Sequence, residues 1–264
     1  MRQIGSVVFW LFVVLSSIPL TVIAFVIWVV TMPFDKRRVV LHRFTCFWAS
    51  LYTWTNPAWP MTITGRENIE AGRTYVLVAN HLSLLDILVL FRLFKDFKWV
   101  SKAEIFKVPG IGWNMRWNKY IALKRGDRES IAEMMTASEE TLRSGSSIMI
   151  FPEGTRSKTG ELKDFKRGAF EMARDTDTAI VPIVIRGPST ALPKHGFILQ
   201  GRHPISVTVL PEVPLSVVES STTAELSDHV HKLISDELAG DVRAVGSGRP
   251  SPRSRKASQI VLRR

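Results

Sequence analysis

The sequence predicts an α/β fold: a mixed, largely parallel sheet flanked by helices, with an N-terminal membrane-associated helical segment. Three observations carry this reading. From Thr62 onward, short apolar runs rich in β-branched residues alternate with amphipathic stretches of helical length. Those runs are too continuously apolar for strands with one wet face and suit strands buried on both. Ahead of them, no charged residue stands between Arg2 and Asp35.

The apolar stretch is long enough to matter. At ~1.5 Å per residue, Ile4 to Val30 could cross a ~30 Å hydrocarbon layer. A cleaved signal peptide would have an apolar region of only ~7–15 residues and a small-x-small site, so a retained anchor is the better reading. Ser16-Ser17-Ile18-Pro19 either kinks this helix or lets it dip into one leaflet and return, and the sequence leaves both open. Lys36, Arg37, Arg38 and Arg43 follow the run, whereas Arg2 precedes it, so the domain is expected on the cytoplasmic side. Residues 39–60 carry Phe44, Phe47, Trp48, Tyr52, Trp54 and Trp59. They read as an interfacial helix, with a helix packed on the domain as the alternative.

Three segments result: an anchor and interfacial helix over 1–60, an α/β domain over 61–240, and a tail over 241–264. Strands are predicted at 61–64, 74–79, 97–101, 119–123, 147–151, 179–185 and 205–210. Helices are predicted at 83–94, 110–117, 128–143, 168–175 and 222–238. The tail is rich in Gly, Ser, Pro and Arg, has little to bury, and is expected to be disordered. With 264 residues the chain can bury one sizeable core.

Charge narrows the function classes. The net charge of +11 divides into +4 over residues 1–60, +6 over 241–264, and +1 in between. The excess lies beside the apolar segment and in the tail, which argues against a nucleic-acid-binding protein. Within the domain, 92–128 holds ten Lys or Arg against three acids, a cluster able to attract phosphates or an anionic membrane, or simply a solvated face. Cys46 is the single cysteine, so no internal disulfide framework exists. His42, His81, His195, His203, His229 and His231 show no metal-binding spacing, and no metal is expected.

Two blocks carry chemistry. Asn80-His81-Leu82-Ser83-Leu84-Leu85-Asp86 follows the strand at 74–79, where open α/β sheets gather catalytic groups. A histidine that takes a hydroxyl proton needs its other ring nitrogen held, commonly by a carboxylate, and Asp86 can serve. Five residues on an ideal helix lie ~140° out of alignment, so His81 must sit in the loop and Asp86 point back from the first turns. The second block, Phe151-Pro152-Glu153-Gly154-Thr155-Arg156-Ser157, follows the strand at 147–151. It offers backbone N–H groups, a hydroxyl and a guanidinium suited to a phosphate or oxyanion.

Together with Ser101-Lys102 through Pro109-Gly110-Ile111-Gly112 to Tyr120-Ile121-Ala122-Leu123-Lys124-Arg125, with Phe165-Lys166-Arg167-Gly168-Ala169, and with Ile180-Val181-Pro182-Ile183, these blocks make the chain resemble a known family. It is similar to the 1-acylglycerol-3-phosphate (lysophosphatidic acid) acyltransferases of the glycerolipid acyltransferase superfamily, over roughly residues 60–215. One departure is Lys124, where relatives often carry an acid. The resemblance implies transfer of an acyl group from a thioester to the sn-2 hydroxyl of lysophosphatidate, giving phosphatidate, with no cofactor and no covalent acyl-enzyme. It implies His81 as general base oriented by Asp86, and Ser83 as a helix cap rather than a nucleophile. Lys102, Arg125 and Arg156 would receive the phosphate, and Glu153 would fix Arg156 or the loop, or touch the glycerol hydroxyl. Gly154 and Thr155 complete the binding loop, and N–H groups near Gly154 or at the helix start are oxyanion candidates. The implied partners are lysophosphatidate, acyl-CoA or acyl-carrier protein as donor, and anionic membrane lipids. Another lysolipid acceptor is the alternative within the class. A basic membrane adaptor would have no chemical use for His81, Asp86, Glu153 and Arg156 together.

Overall fold

The computed structural model describes residues 2–157, 160–193 and 197–246, with side chains described through residue 240. Seven strands form one sheet: β1 (Met61–Thr64), β2 (Val76–Ala79), β3 (Phe97–Lys102), β4 (Ile121–Leu123), β5 (Ser147–Ile150), β6 (Ile180–Arg186) and β7 (Ile205–Val209). Their spatial order is β1-β7-β6-β2-β5-β3-β4. All neighbours are parallel except β6 and β7, so β1 and β7 run against the other five. The predicted mixed, largely parallel sheet is borne out, and five C-terminal strand ends share one edge.

Alternation along the strands builds two cores. Leu77, Ala79, Met149, Val181 and Ile183 point to one side, where they meet Cys46, Ala49, Leu85, Val89 and Leu90. Val76, Val78, Ile148, Ile150 and Val184 point to the other, against Met134, Phe170, Leu226, Val230 and Ile234. The first face is covered by α1 (Arg2–Thr31), α2 (Val39–Trp54), α3 (Leu85–Phe91) and α4 (Ile111–Trp117). The second is covered by α5 (Arg128–Arg143), α6 (Gly168–Asp175), α8 (Leu215–Ser220) and α9 (Thr223–Gly246), while the short α7 (Pro188–Ala191) packs near α3. Each fully buried aliphatic side chain contributes about 1.5–3 kcal/mol, so the sheet is held mainly by these two layers.

Several boundaries differ from the sequence reading. The helix expected over 83–94 is only Leu85–Phe91. α7 and α8 have four and six residues, too short to show a helical period, and were not expected. α9 starts where predicted, with Thr222 and Glu225 capping each other reciprocally, but runs to Gly246, six residues into the segment expected to be disordered. Residues 247–264 of that tail lie outside the described residues.

α1 is one continuous helix through Pro19. The hydroxyls of Ser16 and Ser17 donate to Phe12 and Val13 carbonyls and meet the Tyr52 hydroxyl at 3.2 and 3.0 Å. It lies along the domain: Ser6 accepts from Leu199 N–H, Thr21 faces Gly110, and Trp28 stacks on Trp117. Its outward side is apolar and exposed, from Ile4 to Val30. α2 is packed on the domain, with nine of its sixteen residues buried; only an outer edge including Val40, Phe47 and Trp54 is exposed. The packed-helix alternative therefore describes most of α2.

One close approach shapes the region after β3. A Cβ on Gly112 would sit 2.2 Å from the Phe106 carbonyl oxygen, against backbone that cannot step aside. Gly112→Ala is expected to destabilise the fold by about 1–3 kcal/mol, the usual cost of overpacking. Thermal unfolding of the detergent-solubilised protein checks this, and an unchanged midpoint would contradict the contact.

Candidate active site

The residues singled out from the sequence gather on the shared strand edge. His81 follows β2, the Glu153 loop follows β5, Lys102 ends β3, and Arg125 follows β4. These four strands are adjacent and parallel, so the order of the sheet sets the order of groups along the edge.

His81 lies in the loop before α3, and Asp86 is the second residue of that helix. Its carboxylate turns back as the spacing required. Asp86 Oδ2 stands 2.8 Å from His81 Nδ1 and accepts from the N–H groups of Leu82 at 2.6 Å and Ser83 at 2.8 Å. Three donors converging on one oxygen of a wholly buried residue require an acceptor there. Nδ1 therefore carries the proton, and Nε2 is left with its lone pair. Nε2 makes no hydrogen bond among the described residues, and the His81 side chain is 11% exposed. The ring lies flat on Phe151, 4.0 Å between centroids and 11° between planes, and Trp99 backs Phe151.

The loop is gripped on every side. Glu153 Oε1 accepts from His81 N–H at 2.7 Å, and the His81 carbonyl accepts from Ser157 N–H at 2.9 Å. Asn80 continues the strand pairing through its side chain, accepting from Ile185 N–H and donating to the Ile185 carbonyl. Ser83 is not the helix cap expected of it. Its hydroxyl donates to the Leu192 carbonyl at 2.7 Å and accepts only a long 3.3 Å bond from Leu85 N–H, while Asp86 takes the loop N–H groups.

Glu153 fixes the loop rather than reaching outward. Its second oxygen accepts from Lys163 N–H at 3.3 Å. Burial pushes its carboxyl up to about 7, against those N–H groups and the Lys163 charge, which pull it down. An acid with a raised folded pKa holds its proton more tightly when folded, so its contribution to stability falls as pH rises toward about 7. Glu153→Gln cannot titrate. The melting temperature of the parent minus that of Glu153→Gln is expected to fall between about pH 5 and pH 8. A difference that stays level or rises over that range would contradict the burial of this carboxyl.

Gly154 adopts the left-handed conformation, φ 70°, and the Lys166 side chain lies across it, 2.8 Å from where a Cβ would stand. Its N–H donates to the Phe151 carbonyl, which removes it from the oxyanion candidates. The N–H groups of Leu82 and Ser83 are likewise taken by Asp86. Thr155 accepts from Lys163 Nζ at 2.9 Å.

The cations form a second group beside this loop. Lys102 Nζ stands 3.1 Å from Glu104. Burial lowers the Arg125 pKa, Glu104 opposes that, and the Arg156 charge lowers it further, so Arg125 feels both of these charges. Lys124 points elsewhere, to Asp127 at 2.7 Å. Glu104 and Lys163 were not expected from the sequence, where both look like surface charges. Phe151, Asn80 and Ser157 stood within the quoted blocks without a role.

Burial pushes the other well-buried histidine, His42, down to about 3; its Nδ1 accepts from the Tyr120 hydroxyl and its Nε2 donates to the Lys95 carbonyl. It is a neutral strut between α2 and the sheet. Among the described residues no group of three or more His, Cys, Asp or Glu is placed to hold a metal ion; His195 lies outside them.

The Acyltransferase family profile matches residues 60–186, the stretch that holds His81, Asp86, Lys102, Arg125, Glu153 and Arg156. Over that stretch the chain is similar to the acyltransferase family. It is 42% identical over 162 residues to a chloroplastic 1-acyl-sn-glycerol-3-phosphate acyltransferase of Arabidopsis thaliana, covering 61% of this chain and 45% of that protein. It is 36% identical over 195 residues to a 1-acyl-sn-glycerol-3-phosphate acyltransferase of Chlamydomonas reinhardtii, covering 73% and 58%. The chain thus spans about half the length of the curated relatives it matches. The crystal structure of a 1-acyl-sn-glycerophosphate acyltransferase from Thermotoga maritima superposes with a TM-score of 0.74 at 23% identity, covering 92% of this chain and 98% of the other. That likeness concerns the fold.

Proposed function

We propose that this protein moves a fatty acyl group from a thioester to the sn-2 hydroxyl of lysophosphatidate. The observation that carries the reading is the His81–Asp86 pair, with Nε2 unbonded, beside the cations Lys102, Arg125 and Arg156. His81 Nε2 takes the proton of the acceptor hydroxyl as its oxygen attacks the thioester carbonyl carbon. The tetrahedral oxyanion collapses, the carbon–sulfur bond breaks, and the thiolate leaves with the proton returned by the imidazolium. Asp86 holds the tautomer and stabilises the transient positive ring. Arg156 and Arg125 suit bidentate contact with phosphate, and Lys102 adds a compact charge. The relatives' names support lysophosphatidate as acceptor.

The same reading places the protein on a membrane through α1. That helix touches the domain near its start, middle and end, so standing it upright would drag the sheet into hydrocarbon. An orientation lying in one leaflet, apolar side down, leaves the domain in water. The basic residues Lys36, Arg37 and Arg43 suit an anionic surface such as that of a cytoplasmic leaflet.

Purified protein given lysophosphatidate and a panel of acyl-CoA and acyl-carrier-protein donors, with products weighed by mass spectrometry, tests the proposal. Phosphatidate is expected, and its absence with every donor would end this reading. Arg156→Ala is expected to raise KM for lysophosphatidate by about tenfold or more, since a charge-assisted phosphate contact is worth about 1.5–3 kcal/mol. An acceptor lacking phosphate should be unaffected, and equal losses on both would remove Arg156 from the phosphate site.

A further inference from the structure

The turn between β3 and β4 carries a surface that the catalytic edge does not use. Val108, Ile111 and Trp113 are exposed at 42%, 45% and 49%. They do not project from a loose loop. Gly112 is jammed under the Phe106 carbonyl, Asn114 bonds Thr45 of α2, and Trp117 stacks on Trp28 of α1 with Phe25 beside it. Gly110, φ 75°, lies against Thr21, so the turn is seated directly on α1. The exposed side chains therefore extend the outward apolar side of α1, where Ile18, Val22 and Phe25 are also exposed.

Charge around this patch has one sign. Between Glu104 and Asp127 there is no acid, while Lys107, Arg116, Lys119, Lys124 and Arg125 are basic. Lys107 and Arg116 are exposed on either side of the apolar three. A rigid tryptophan and two aliphatic residues, rimmed by cations, match the headgroup boundary of an anionic bilayer.

We propose that residues 107–116 form a second membrane contact, entering the headgroup layer of an anionic bilayer beside α1 and setting the lipid surface level with Lys102. The segment begins five residues after Lys102, so the lipid boundary meets the cationic group without a gap. This inference rests on the reading of α1 as the membrane contact.

The test uses the full chain with single cysteines carrying an environment-sensitive fluorophore, Cys46 being buried. Trp113→Cys probes the turn, Val22→Cys probes α1, and Glu133→Cys on α5 faces away. Vesicles contain phosphatidylcholine and phosphatidylglycerol, with nitroxide-labelled lipid as quencher. Labels at 113 and 22 are expected to be quenched and that at 133 to stay bright. Quenching at 22 without 113 overturns the inference and leaves the anchor standing; quenching at neither ends both. Substitution by Lys107→Gln with Arg116→Gln is expected to weaken binding to anionic vesicles by about fivefold per residue, and binding to neutral ones little. Trp113→Ala is expected to slow turnover of long-chain acceptor in vesicles by about tenfold while sparing a short-chain acceptor dissolved as monomer. An equal loss on both acceptors means that Trp113 acts through the fold, which also overturns the proposal.

Discussion

His81→Ala is expected to lower acyl transfer by about 10²–10⁴-fold while the protein stays folded and vesicle-bound. The site explains both halves. Nε2 is the lone pair left free by the bond from Nδ1 to Asp86, and Glu153, Ser157 and Asn80 hold the loop through groups other than the imidazole. The ring does lie on Phe151, so its removal leaves a gap there. His81→Asn refines the test, since its amide can still donate to Asp86 but is no base. Both variants are expected to be equally slow under single-turnover conditions. Turnover above about a tenth of the parent in either would exclude His81 as general base.

Asp86→Asn is expected to cost about 10²-fold in turnover with little change in melting temperature, a smaller loss than the ~10⁴ seen where an amide inverts the histidine tautomer. All three donors to Asp86 meet a single oxygen, Oδ2, while Oδ1 makes no hydrogen bond among the described residues. The asparagine oxygen can take the place of Oδ2, fixed there by Leu82 and Ser83 N–H, and still accept from Nδ1. The tautomer survives; the charge that steadies the imidazolium does not. Asp86→Ala strands three donors, two of them buried N–H groups, at about 1–3 kcal/mol each, and is expected to unfold at markedly lower temperature. If the asparagine variant lost as much stability as the alanine one, convergence on one oxygen would be wrong.

The contrast between these residues and their supports shows what the sequence could reveal. The inner strands were legible because two-sided burial leaves unbroken apolar runs such as 180–185. The His81–Asp86 pairing was legible because few geometries reconcile that spacing with contact. The grip of Glu153 on His81 was not, since its partner is a backbone N–H, which every residue but proline carries. Glu104 and Lys163 were hidden for a related reason: an exposed charge looks the same whether it faces water or a neighbouring loop. α2 was half legible, because its aromatic content could not say which rings turn inward.

The clamp on His81 has a practical consequence for recombining such enzymes. Residues 80–86 and 151–157 behave as a single cassette, interlocked through backbone as well as side chains. Grafting one from a relative without the other would mismatch the grips, even where every catalytic letter is retained. By the same logic, a single residue inserted between Glu153 and Ser157 would slide one jaw past its target, whereas lengthening the exposed turn at Gly126 would leave the histidine where it is.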